Sequence, residues 1–148
     1  MQIFETLKKD HKKVLDLLEK LEHSSQRASK TRHENYLILK KELLEHMHGE
    51  ENTFYKFLLE NEDLKELLYE AYEEHRTVRL ALPDLEAKEV TDEQWKPILS
   101  VIGEMVKHHI NEEEKELFKE AKSFINHEDD ERLVSEFEES KKEAGITV

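Results

Sequence analysis

Two stretches, His46-Met47-His48-Gly49-Glu50-Glu51-Asn52-Thr53-Phe54-Tyr55 and His109-Ile110-Asn111-Glu112-Glu113-Glu114-Lys115-Glu116-Leu117-Phe118, follow one pattern. Each reads histidine, three residues, two glutamates, two residues, then an apolar and an aromatic residue. A histidine and a glutamate four residues apart lie one helical turn on and about 40° round, on one face. His108 and His127 also have glutamate four residues on, but the rest of the pattern fails from either start. A matched pair of long motifs at helical spacing points to a helical chain with an internal two-fold echo.

Apolar periodicity extends this reading outward. A first helix is expected from Ile3 to Glu22, with Phe4, Leu7, Val14, Leu15 and Leu18 on its stripe. The second runs from Thr31 to Glu60, carrying Leu39, Leu43, Met47, Phe54, Phe57 and Leu58. The third runs from Asp63 to Leu82, where Pro83 kinks or ends it. Thr91-Asp92-Glu93-Gln94 reads as a capping box opening a fourth helix to Phe124. A charged amphipathic fifth helix spans about 129–144, closed by Gly145. The expected fold is all-α: an antiparallel up-down-up-down four-helix bundle with a short C-terminal fifth helix. One domain over 1–148 is expected, with the bundle at about 3–124.

Composition agrees and excludes. The chain has 148 residues, only three glycines and two prolines, too few turn formers for a β-rich domain. Thirty-six acidic residues against 23 basic ones give a net charge of −13, which argues against a nucleic-acid or anionic-membrane surface. No cysteine is present, so disulfides, zinc–thiolate sites, iron–sulfur ligation and thiol catalysis are excluded for this chain. Met1–Glu5 is no secretory signal and no apolar run approaches the length of a membrane span, so a cytoplasmic location is expected.

Nine histidines carry the functional signal. By helical phase His11, His46, His75 and His109 each fall on the apolar stripe of a different long helix. His48 and His108 turn toward water, and His23, His33 and His127 fall at helix ends or loops. Four separate core histidines would each need a polar partner, at roughly 1–3 kcal/mol per unsatisfied group. One shared metal site satisfies them together, with Glu50 and Glu113 on the same faces. A di-iron bundle of the other design needs two E-x-x-H motifs, and only Glu45/His48 has that spacing.

This array resembles the hemerythrin-like, or HHE cation-binding, family. Asp10-His11 is similar to the family's opening DH, Glu74-His75 to its third-helix EH, and the two H-x3-E-E stretches to its paired ligand helices. The resemblance implies two irons joined by an oxo or hydroxo bridge and two bridging carboxylates. The implied ligands are His11, His46, Glu50, His75, His109 and Glu113. Lys56 and Lys119 stand where family members often have proline. Arg79 stands where hemerythrins proper have a fifth histidine, which puts simple oxygen storage in doubt. The four-histidine, two-glutamate set is similar to di-iron proteins of iron–sulfur cluster repair and nitric oxide stress, and to iron-sensing relatives.

The donor chemistry supports iron, with manganese or zinc as substitutes, because imidazole and carboxylate suit these ions. Open metal positions are where dioxygen, nitric oxide or peroxide would bind. The expected function is a non-haem di-iron protein that binds or transforms such a ligand in oxidative or nitrosative stress. Set against it are an iron- or oxygen-responsive module without turnover and a metal-free helical scaffold. Three further residues are candidates near the site. Glu116, seven residues after His109, is a substitute ligand for Glu113. Tyr72 either reaches the ligands or packs in the core. Arg79 either leaves an open metal position and favours an anionic ligand, or snorkels and pairs with Glu74 or a glutamate of a neighbouring helix.

Overall fold

A computed structural model describes residues 1–147. Four long helical rods run up, down, up and down, and a fifth packs beside them. The first rod is α1 (Gln2–Glu22). The second joins α2 (Ser29–Gly49), a π-helical turn (Glu50–Phe54) and α3 (Tyr55–Leu58) without a break. The third is α4 (Lys65–Glu86). The fourth joins α5 (Trp95–Glu112), a second π-helical turn (Glu113–Leu117) and α6 (Phe118–Ala121). The fifth is α7 (His127–Glu143). No helix among the described residues is long and apolar enough to cross a membrane.

The core is split along the bundle axis. One apolar cluster contains Val14, Leu43, Met47, Val78, Val106 and Ile110. The other contains Leu7, Phe54, Tyr55, Ala71, Leu117 and Phe118. On each rod the buried histidine stands between a residue of one cluster and a residue of the other, as His75 does between Ala71 and Val78. A polar layer therefore crosses the whole bundle between two apolar ones. The loop end is closed by buried Arg32, whose guanidinium donates to Ser24 Oγ, the Ser24 carbonyl and the Val90 carbonyl at 2.6–2.8 Å. It also lies 5.1 Å from the Trp95 ring centroid.

Two boundary expectations are corrected. Pro83 neither ends the third helix nor prevents its last turn. It deprives only the Arg79 carbonyl of its helical donor, while buried Leu82 and Leu85 hold the turn in place and α4 runs on to Glu86. The expected capping box at Thr91 does not form. Residues 91–94 make a turn in which the Gln94 N–H donates to Asp92 Oδ1 at 2.8 Å, and the helix starts at Trp95. A true capping box lies elsewhere, with Asn126 and Asp129 opening α7.

Helix α7 is anchored at three points. Buried Asp130 accepts the Gln2 and Ile3 N–H groups at 2.9 and 2.8 Å, so a side chain of α7 caps the first turn of α1. Phe137 is fully buried against α2, where Gly49 leaves room for its ring. A Cβ there would meet Phe137 carbons at 2.7 and 2.8 Å. Lys141 reaches Asp10 on α1, with Nζ 3.0 Å from Oδ2. At the C-terminal end Gly145 takes φ 63°, as its expected stop role requires.

Asp130→Ala removes the acceptor of two helix N-terminal donors and should lower stability by about 1–2 kcal/mol. Asp130→Asn, which keeps one acceptor oxygen, should lose less. Urea unfolding of the three proteins checks this, and equal midpoints would show that the cap contributes nothing.

Candidate metal centre

The four histidines expected on buried faces are all buried, at 1–7% exposure, and Glu50 and Glu113 are buried with them. The structure brings all six together. His11, His46, Glu50 and Glu113 form one group, and Glu50, His75, His109 and Glu113 a second. Within each group one ligand atom per residue lies within 4.8 Å of the others. The two carboxylates belong to both groups, and each group has its own pair of imidazoles. His46 Nε2 lies 3.0 Å from Glu50 Oε1, and His11 Nε2 lies 3.1 Å from Glu113 Oε1. His75 Nε2 and His109 Nε2 face each other at 3.1 Å.

The outward nitrogens explain the residues beside the ligands. His46 Nδ1 donates to Asp10 at 2.9 Å, and His75 Nδ1 to Glu51 at 2.7 Å. His109 Nδ1 donates to Glu74 at 2.7 Å, and His11 Nδ1 to Glu114 at 2.6 Å. Each carboxylate sits on a different rod from the histidine it holds. The acid before each lone histidine, and the second glutamate of each E-E pair, thus acquire one job. Each fixes a ring with Nδ1 protonated and Nε2 turned inward, as a metal-ligating histidine requires.

Inward, the polar atoms lack enough partners. His11 Nε2, His46 Nε2, Glu50 Oε2 and Glu113 Oε1 are buried without a hydrogen bond. With the rings neutral and Nδ1 carrying the one proton, the inward imidazole nitrogens and both carboxylates are acceptors, and acceptors alone do not satisfy one another. Divalent cations do, and the residues fit such ions: nitrogen and oxygen donors, two shared carboxylates and no thiolate.

Both π-helical turns begin at the ligand glutamates, with the Tyr55 N–H donating to the Glu50 carbonyl and the Phe118 N–H to the Glu113 carbonyl. Residues five apart are then in register. The aromatic five after each glutamate therefore turns inward with it. This corrects Glu116: α-helical phase returns it to the His109 face, but the wider turn moves it off, and it is exposed. Tyr55, which the sequence reading did not single out, becomes part of the centre instead. Its hydroxyl donates to Glu113 and lies 3.3 Å from Glu50 Oε1 and 3.4 Å from His75 and His109 Nε2. Its counterpart Phe118 stacks 6.1 Å from His11 with no polar group to offer. The signal was present in the aligned motifs, where the last position is tyrosine in one copy and phenylalanine in the other.

The remaining candidates lie further out. Arg79 is paired by Nη1 with Glu51 at 2.7 Å and is partly exposed, so it snorkels to a glutamate of the neighbouring rod and does not face the six ligand candidates. The Tyr72 hydroxyl donates to the Glu51 carbonyl at 3.2 Å, and its ring packs 5.3 Å from Tyr55. His48 is half-buried rather than open to water and lies 3.3 Å from Asn52 Nδ2, outside both groups. His108 is exposed, near Glu112 and Glu74.

Charge in the layer is strongly coupled. Burial pushes the His46 and His109 rings down, but the carboxylates facing each ring outweigh this and hold both up at about 10. His11 is raised against burial by Glu113 and Glu114. Burial would raise Glu113, but its close neighbours Glu50, His109 and His11 hold it well below the ordinary carboxylate range. Burial and the Glu113 and Glu50 carboxylates push the Tyr55 hydroxyl well above its usual value, so it stays a donor.

Comparison with known proteins agrees with this geometry. The family model of the hemerythrin HHE cation binding domain matches residues 2–121. A hemerythrin-like protein of Schizosaccharomyces pombe is 26% identical over 145 residues, covering 95% of this chain and 70% of that one. The crystal structure of a hemerythrin HHE cation binding domain-containing protein from Mycobacterium kansasii superposes with a TM-score of 0.79. It has 23% sequence identity, over 97% of this chain and 89% of that chain.

Protein stripped of metal by a chelator should lose stability as pH rises. His46 and His109 are held at about 10 in the fold, above roughly 6.5 in an unfolded chain. Their contribution is therefore complete below about 6.5 and fades as pH climbs through about 10. Urea midpoints of the stripped protein should fall from pH 7 to 10. Metal uptake at pH 8 should also release protons, measurable with an indicator dye. A flat or rising midpoint over that range contradicts the coupling.

Proposed function

Because the chain belongs to the hemerythrin HHE cation-binding domain family, we propose that it is a non-haem di-iron protein that binds or transforms a small diatomic gas or oxidant. On this reading His11 and His46 would hold one ion and His75 and His109 the other, with Glu50 and Glu113 shared between the two. Manganese or zinc would suit the same donors. Bound iron would supply one-electron redox changes and open positions for a small ligand.

The observation that carries the ligand class is a cavity of about 20 Å³ that touches all four histidines. Its other walls include Val14, Leu43, Met47, Val78, Val106 and Ile110. A water-sized molecule needs roughly 10–15 Å³ of such space, so the cavity suits dioxygen, nitric oxide or peroxide and no metabolite of ordinary size. Glu74 is the one carboxylate in the lining, and the other walls on the imidazole side are apolar. On the other side Tyr55 is, among the described residues, the one hydroxyl that touches both carboxylates, and it is placed to lend a proton at Glu113 or Glu50. The four carboxylate–imidazole bonds fix the ring orientations before any ion arrives, which reduces reorganisation on loading.

Such chemistry suits oxidative or nitrosative stress, including repair of iron–sulfur clusters. Consumption of peroxide or nitric oxide by the iron-loaded protein would place it there. Binding without consumption would instead make it a sensing module.

Protein produced with ample iron should carry about two metal ions per chain. His46→Ala, Glu50→Ala, His109→Ala and Glu113→Ala should each lower that content sharply, whereas His48→Ala and His108→Ala should keep it. Elemental analysis decides. One ion or none in the parent rejects the paired site, and equal loss from His108→Ala rejects the assigned ligands. Tyr55→Phe should retain both ions and slow any peroxide consumption; an unchanged rate would remove the proton role of its hydroxyl.

A further inference from the structure

The internal two-fold relates Asp10 to Glu74, each holding a histidine of the next rod. It also relates Glu51 to Glu114, each holding the lone histidine of another rod. Cations do not follow that symmetry. Lys141 Nζ lies 3.0 Å from Asp10 Oδ2, the oxygen that accepts from His46. Arg79 Nη1 lies 2.7 Å from Glu51 Oε2, the oxygen that accepts from His75. No lysine or arginine pairs with Glu74 or Glu114 among the described residues. Glu74 instead neighbours Glu112, a second acid, and the His108 ring, whose Nε2 is 3.7 Å from Glu74 Oε2. The position matching Arg79 in the first half is Leu15, four residues after His11. Lys141 comes from α7, which packs on α1 and α2 and has no counterpart beside α4 and α5 among the described residues.

We propose that Lys141 and Arg79 are positioning residues that weaken His46 and His75 as metal donors by drawing on the oxygen each histidine bonds. The inference rests on the two-ion site proposed above. A carboxylate that holds an imidazole N–H makes the ring a stronger donor at its other nitrogen. A cation on the same oxygen withdraws that electron density. His11 and His109, held by carboxylates without such a cation, stay strong donors. Each ion then has one strong and one weakened histidine, His11 with His46 and His109 with His75. The lysine and arginine come from unrelated places in the chain and break the two-fold of the holding carboxylates, yet each ion would still meet one histidine of each kind. This gives α7, which lies beyond the family-matched residues, a function at the metals in addition to its packing.

The test is the reduction potential of the iron-loaded protein, followed by its absorption spectrum, with iron content measured on every sample. Lys141→Met and Arg79→Met should each keep two irons and shift the potential to more negative values, because a stronger imidazole donor favours the oxidised ions. The double variant should shift further, and Lys141→Arg and Arg79→Lys should restore the parent value. Loss of packing alone would lower the melting temperature and leave the potential where it was. In an Asp10→Asn background Lys141→Met should lose most of its effect, since the route through the carboxylate is gone. An unchanged potential in both single variants at full iron content overturns the proposal, as does a full shift in the Asp10→Asn background. If Lys141→Met does not fold, Arg79→Met, on the more exposed side of the bundle, decides alone. A parent that takes up no iron would overturn the underlying metal site itself.

Discussion

Two carboxylates buried among four imidazoles set the terms for the rest of this molecule. Glu50 and Glu113 have 0 and 2% exposure, between two apolar clusters that offer them one polar group, the Tyr55 hydroxyl. Ionised groups in such a place are tolerated only with compensating charge and complete hydrogen bonding. The imidazoles provide compensation while they carry protons, and metal ions would provide it once those protons leave. The outward nitrogens must still be satisfied, and four further carboxylates do that. The resulting bonds run from rod to rod: Asp10 on α1 to His46 on α2, Glu51 after α2 to His75 on α4. Glu74 on α4 then meets His109 on α5, and Glu114 after α5 returns to His11 on α1. The circuit is closed. It links each rod to the next in the order in which the chain lays them down, so the polar layer specifies the topology as well as the site.

The fold was legible because it rests on repetition. Twenty-residue apolar stripes, scarce glycine and proline, and one histidine per stripe are strong signals, and they placed every rod to within a few residues. The six inward residues were legible for the same reason: at four-residue spacing, phase errors stay small. The holding carboxylates were visible as the D, E and second E of the motifs. Their task was not visible, because it concerns pairs on different rods and no single-helix projection contains it.

What failed traces to one assumption, a uniform 3.6-residue turn. A π-helical turn has no composition of its own. Glu113–Leu117 consists of strong helix formers throughout, whereas Glu50–Phe54 carries Asn52 and Thr53, so no shared composition marks the two turns. Phase carried across such a turn is wrong beyond it, which displaced Glu116 outward and hid the inward aim of Tyr55. Local capping signals failed differently. Thr91 has the right residues for a cap, but the chain continues as a turn to bring Trp95 into the core and Val90 to Arg32, and burial outweighs a surface cap.

The π turns themselves follow from the polar layer. Each second rod must present three inward groups in succession: a histidine, a glutamate one turn on, and an aromatic that closes the layer from the other apolar cluster. Regular α-helix puts residues four apart in line and turns the fifth away. Widening the turn right after the glutamate brings the fifth residue back, so Glu50 and Tyr55, like Glu113 and Phe118, face in together. The same widening leaves Glu51 and Glu114 at the flank, within reach of the next rod's histidine. A uniform helix would satisfy either the aromatic or the holding carboxylate. The irregular turn satisfies both, and its recurrence at the same place in both halves of the chain ties it to the layer it serves.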